Sequence, residues 1–205
     1  MKELFSYKGF FAYLAMVFIN AFVDLGHKII IQNTVFKMYD GDIQIILTAI
    51  VNGLILLPFI LLFTPSGFLA DKYPKPQIMR NSAIIAIIAT LLITLCYWQG
   101  WFIAAFALTF LMGIQSAIYS PAKYGYLKEL IGVKKLAEGN ALVQAATIVS
   151  ILASTFVFSA FFEYLLIGVE LDSTATIMKN VVVLGWVFVA LSIIEWLFSC
   201  QLENT

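Results

Sequence analysis

Pro65-Ser66-Gly67-Phe68-Leu69-Ala70-Asp71-Lys72-Tyr73-Pro74-Lys75-Pro76, followed shortly by Arg80, joins two long apolar runs. Reversing a chain between two membrane spans does not require such a mixture of glycine, acid and cations. Gly67 carries no side chain and so predicts a close approach of two helices. Asp71 is expected just past a helix end, with Lys72, Lys75 and Arg80 near enough to pair with it. Pro74 and Pro76 are expected to stop that helix and stiffen the turn, because proline lacks an N–H and clashes with the preceding turn. The cations by themselves indicate only a basic loop at a membrane surface.

Composition sets the class. The 205 residues are 62% apolar and 12% charged, with mean hydropathy +0.96. Soluble domains carry about 25% charged residues, so most of this surface faces something other than water. A formal net charge of zero argues against a nucleic-acid partner. His27, Cys96 and Cys200 are too few and too scattered for a metal cluster, and the cysteines read as small hydrophobes. No Gly-rich phosphate loop is present, and no metal and no cofactor is expected. The first apolar run is too long, and too rich in ionisable residues, for a cleavable signal peptide.

A spanning helix needs about 20 largely apolar residues. Six such segments lie near 9–35, 43–64, 77–98, 101–119, 136–166 and 180–200, which predicts an all-α membrane protein forming one bundle over 1–205. Trp98 and Trp101 flank a hairpin with interfacial anchors. The longest polar connections are 121–135 and 168–179. With the amino terminus inside, the inner segments hold Lys2, Lys8, Lys72, Lys75, Arg80, Lys123, Lys128, Lys134 and Lys135. The outer segments then hold only Lys37 and Lys179, so the positive-inside rule places both termini in the cytoplasm.

Ionisable residues inside spans mark candidate sites, because burying them is expensive. In the first span Asn20, Asp24, His27 and Lys28 fall on one helical face. Asp24 and Lys28 are either a neutral ion pair or part of a polar wall facing a cavity for a charged head group. His27 is a weaker candidate for titration. Asn52 in the second span faces either the cavity or a neighbouring helix, and Pro58 predicts a kink. In the fourth span Gln115 and Tyr119 are one turn apart, and Gly113, Ser116 and Ala117 permit close packing. The fifth shows Asn140, Gln144, Thr147 and Ser154 near one stripe. Its Ser and Thr read as packing contacts, whereas Asn140 and Gln144 offer more hydrogen-bonding capacity. Glu195 either snorkels to the cytoplasmic surface or pairs with a group outside this chain.

The string at 67–80 resembles the Gly-x-Leu-Ala-Asp-Arg-x-x-x-Arg/Lys signature between helices 2 and 3 of the major facilitator superfamily. Gly67, Leu69, Ala70 and Asp71 match, with Lys72 in place of Arg and Lys75 in the trailing basic region. A more specific string, Ser120-Pro121-Ala122-Lys123-Tyr124-Gly125-Tyr126-Leu127-Lys128-Glu129-Leu130, is similar to the end of helix 4 in the lysophospholipid transporter family. It also occurs in transporter modules fused to an acyltransferase and an acyl-carrier-protein synthetase. Residues 136–147 resemble that family's start of helix 5, and Asp24 and Lys28 fall where its first helix has an acid and a base. Val23 and Leu25 flank Asp24 where the family has Asn, and Gln144 stands where Glu is frequent. Which group meets a cationic ethanolamine is therefore left open.

The resemblance implies the amino-terminal six-helix half of a twelve-helix fold. Its implied activity is moving lysophospholipids such as lysophosphatidylethanolamine across the bacterial inner membrane, by alternating access, for reacylation inside. Implied partners are a carboxy-terminal half and an acyltransferase or acyl-ACP synthetase, fused or separate. Substrate-binding roles are expected at Asn20, Asp24, His27, Lys28, Asn52, Gln115, Asn140 and Gln144. Gating roles are expected at Gly67, Asp71, Lys72, Lys75, Arg80, Lys123 and Tyr124. No enzyme is expected, since an acyltransferase needs its own His–Asp motif and His27 is intramembrane. Two other readings stay open: an exporter of drugs or metabolites, and a non-transporting membrane anchor for an acyltransferase.

Overall fold

Hydrocarbon offers backbone N–H and C=O groups no partner, so each apolar run must satisfy them within itself as a helix. A computed structural model describes residues 2–202, apart from the Lys2 side chain. Met1 and 203–205, the ends of the expected 1–205 bundle, lie outside it, as does the Lys2 ammonium counted in the charge bias. The helices are α1 (Phe10–Met38), α2 (Gly41–Leu61), α3 (Phe63–Lys72), α4 (Lys75–Gln99), α5 (Phe102–Ile131), α6 (Leu136–Leu165), α7 (Thr174–Asn180) and α8 (Val182–Ser199). Among the described residues none is in a strand. Six helices, α1, α2, α4, α5, α6 and α8, are long and apolar enough to cross a membrane. This is an all-α, six-span membrane protein.

Two boundaries differ from those expected. Most of the signature stretch is helix, with Asp71 inside the last turn of α3 and the reversal confined to Tyr73–Pro74. Pro65 is the third residue of α3, where its missing N–H would have been an orphan anyway. Leu62 N–H still donates to Pro58 O and Ser66 N–H to Leu62 O, both at 2.8 Å, so α3 continues α2 past a break at Leu62. Pro74 and Pro76 serve to start α4, as its N-cap and second residue. The fourth span runs on through Pro121 to Ile131 rather than ending near 119. Pro121 removes one hydrogen bond, a loss that membrane helices tolerate, and the helix stops only at Gly132 (φ 73).

Small residues set the packing. α1 packs on α6, α8 and α5, α4 lies between α5 and α8, and α2 leans on α5. A Cβ on Gly26 would lie 2.5 Å from the Phe158 ring and 2.6 Å from Phe188, two rings whose centroids are 4.8 Å apart. Ser150 and Ser154 donate from α6 to the α1 carbonyls of Phe18 (2.6 Å) and Phe22 (2.7 Å). Ser154 is thus packing glue, as its position in the fifth span suggested. Gly113 lets α5 approach α2, where a Cβ would meet Pro58 at 2.9 Å. Gly67, expected to do this, has open space where a Cβ would stand. Leu4, Ala70, Tyr126, Ile131 and Leu202 share one core cluster, which brings the first and last described residues and both basic connections to one end.

These contacts predict that Gly26→Ala lowers the thermal unfolding midpoint in detergent, by an overpacking cost of about 1–3 kcal/mol. Gly67→Ala in the same chain should leave the midpoint unchanged or slightly raised.

Candidate functional site

Residues of α1, α2, α5 and α6 line a cleft of about 180 Å³. Asn20 and Asp24 enter it one turn apart on α1. Ser116, Tyr119 and Lys123 enter it from α5 at i, i+3 and i+7, a spacing that shares one helical face. Leu25, Ile55, Phe59, Met112 and Ile151 supply the apolar wall.

The first-helix acid finds its partner across the seam. Ser116 Oγ donates to Asp24 Oδ2, and Lys123 is the cation within electrostatic range of Asp24. Lys123 Nζ lies over the rings of Tyr124 (4.7 Å) and Tyr119 (5.9 Å). Lys28 lies outside the cleft lining, half-buried, and makes no ion pair with Asp24 among the described residues. Of the two readings left open for Asp24 and Lys28, the ion pair is not formed among the described residues, and Asp24 lines the cleft without Lys28. Helical spacing makes that pair feasible, but Lys28 stays outside the cleft that Asp24 lines. Lys123, assigned to a cytoplasmic loop, belongs to the cleft because α5 continues through Pro121.

The other expected polar residues divide. Gln115 is fully buried behind the cleft, and its Oε1 accepts from Asn20 Nδ2 at 3.4 Å. His27 is also fully buried, with Nδ1 2.8 Å from the Tyr97 hydroxyl and Nε2 3.1 Å from Ala105 O. A carbonyl only accepts, so Nε2 carries a hydrogen and the ring ties α1 to α4 and α5. Thr109 stands between His27 and the cleft, its Oγ1 3.3 Å from Nε2. Asn52 donates to Thr48 O on its own helix at 2.8 Å, outside the cleft lining. Gln144 is exposed and donates to Tyr124 Oη at 2.8 Å. Asn140 keeps a buried Oδ1 without a partner. Glu195 neither snorkels nor points out of the chain. It is fully buried, and its Oε1 accepts from Asn20 Nδ2 at 3.2 Å.

At the end carrying both basic connections, Asp71, Lys75, Gly125 and Lys128 border a shallow groove. Lys75 pairs with Glu129 at 2.6 Å, and Lys72 lies over Phe68 and Tyr73 at 5.6 and 5.5 Å. Arg80 Nε is buried without a partner. The expected pairing of Asp71 with these cations is absent among the described residues, because α3 carries Asp71 to an exposed surface and Glu129 takes Lys75.

Comparison with known proteins places this arrangement. No family model matches the chain, and no solved structure matches it. The lysophospholipid transporter LplT of Photorhabdus laumondii is 31% identical over 150 residues, covering 73% of this chain and 35% of that protein. The proteins of the same name from Citrobacter koseri (31% over 150 residues; 71% and 34%) and an Enterobacter species (37% over 93 residues; 45% and 22%) also match. The chain belongs to the lysophospholipid transporter family, within the major facilitator superfamily. The longest matched region spans about a third of the length of these curated relatives.

For this family member, the sequence alone undervalued three cleft-side groups. Ser116 and Tyr119 were legible as a face shared with Lys123 once the helix is carried through Pro121. Glu195 was legible as an ionisable residue deep in a span, but its direction was not. The His27 contacts predict that Tyr97→Phe destabilises the bundle by about 1 kcal/mol, measured by thermal unfolding.

Proposed function

We propose that this chain is the amino-terminal six-helix half of a twelve-helix transporter that moves lysophospholipids across the bacterial inner membrane. The observation that carries the reading is a carboxylate and an ammonium, Asp24 and Lys123, the two charged residues that line one cleft beside an apolar wall. Lysophosphatidylethanolamine is their complement. Its ammonium meets Asp24, its phosphodiester meets Lys123, and its single acyl chain lies along Leu25, Ile55, Phe59 and Ile151. The names of the relatives support the same substrate class.

α2 and α6 flank the cleft and are the least covered of the spans, which suits them to meet a carboxy-terminal half. Rocking of the two halves then exposes the cleft to each side in turn. The excess of Lys and Arg at the end holding both basic connections supports a cytoplasmic position for that end. There Asp71, beside Lys75 and Glu129, acts as a latch that the rocking breaks. Lysolipid delivered to the cytoplasmic side is reacylated by a partner acyltransferase or acyl-ACP synthetase.

The test is movement of a fluorescent lysophosphatidylethanolamine in vesicles, comparing this chain with one extended by the following six helices. Only the longer chain is expected to transport. In it, Asp24→Asn and Lys123→Met should each lower the rate about tenfold or more, as loss of a charge-assisted contact predicts, and Lys28→Met should have little effect. Lys28→Met proving as damaging as Lys123→Met, or full transport by the short chain alone, contradicts the reading.

A further inference from the structure

Asp24 and Glu195 are bridged by a run of polar atoms on Asn20, Gln115 and Ser116, each within 3.4 Å of the next. Asn20 Nδ2 donates to Glu195 Oε1 at 3.2 Å and to Gln115 Oε1 at 3.4 Å. Ser116 Oγ lies 3.2 Å from the same Gln115 oxygen and donates to Asp24 Oδ2. Each carboxylate therefore has one oxygen engaged. The other, Asp24 Oδ1 or Glu195 Oε2, is buried without a partner, and so is Tyr119 Oη. Three orphaned oxygens around one short run of polar atoms are a costly arrangement in a membrane interior.

Charge counting narrows what satisfies them. With both carboxyls ionised, Asp24 and Glu195 supply two negative charges, and Lys123, beside Asp24, supplies one positive. A single further positive charge neutralises the group, whereas a divalent ion overshoots. Carboxylate, amide and phenol oxygens suit a hard cation. Among the described residues no cluster of three or more His, Cys, Asp or Glu favours a transition metal.

We propose that Asp24 and Glu195, with Asn20, Gln115 and Tyr119, form a binding site for a small monovalent cation of the sodium class. Asn20, Asp24 and Tyr119 line the cleft and give the ion a path in, while Glu195, fully buried, forms the back of the site. An ion held there changes the charge that Asp24 presents to the cleft, which couples ion to solute. That coupling rests on the transport reading, but the ion binding does not.

The experiment is thermal unfolding of the 205-residue chain in non-ionic detergent at fixed pH, exchanging choline chloride for sodium chloride at constant ionic strength. A ligand that binds the folded state raises the midpoint as its concentration passes its Kd. The expected result is a saturable rise with sodium, kept by the surface variant Thr155→Ala and lost by Glu195→Gln. Gln preserves the shape and the oxygen that accepts from Asn20. Should Glu195→Gln fail to fold, broadening of the sodium NMR line by the wild-type chain reads the site directly, and its absence overturns the proposal. Equal midpoints in sodium and choline, or a full sodium shift retained in Glu195→Gln, overturn it. So does a midpoint that, in a second series at varied pH, moves with pH but never with sodium, which makes the pair a proton site instead. None of these readouts uses lysolipid, so failure here is distinct from failure of the transport reading.

Discussion

The hydrogen bond from Ser116 to Asp24 closes a polar seam between α1 and α5, and the functional geometry depends on that seam. A carboxylate inside a membrane bundle needs donors, because water is not there to supply them. α5 provides one at Ser116 and a cation two turns later at Lys123. Both arrive on the same face only because the helix continues through Pro121. Were α5 to end at Tyr119, Lys123 would leave the cleft and Asp24 would face an apolar wall with only a hydroxyl for company.

The seam is held from behind by contacts of a different kind. Gly26 admits the Phe158 and Phe188 rings against α1, and Ser150 and Ser154 tie α6 to α1 carbonyls. His27 binds α1 to α4 and α5 through Tyr97 and Ala105. These groups fix the position of α1 to within a side chain's width, so the cleft is shaped before any solute enters it. Binding sites of this sort are set by rigid surroundings rather than by the polar residues alone.

Much of this was readable in the chain. The six spans follow from apolar length, and Asn20, Asp24 and Gln115 stand out as polar groups within them. The family follows from the strings at 67–80 and 120–130 in agreement with the relatives. What was not readable depends on contacts between helices. Lys28 is the obvious neighbour of Asp24 along one helix, and only tertiary packing shows Ser116 and Lys123 taking that place. Helical spacing put His27 with Asn20 and Asp24, yet contacts with Tyr97 and Ala105 engage it away from the cleft. Pro121 reads as a stop signal in water, where nothing compensates for the lost bond. Inside a bundle the neighbouring turns hold the helix together. Glycines behave likewise: Gly67 was conspicuous through its motif, whereas Gly26 carries the close packing unannounced.

On the proposed reading, the cleft among α1, α2, α5 and α6 holds the lysolipid. The most direct measurement is photo-crosslinking with a lysophosphatidylethanolamine carrying a diazirine at its head group, followed by mapping of the labelled peptides. Labelling concentrated between Asn20 and Leu25 and between Met112 and Lys123, and competed by unlabelled lysolipid, is the expected result. Competed labelling confined to α4 and α8, the helices behind the cleft, would contradict it.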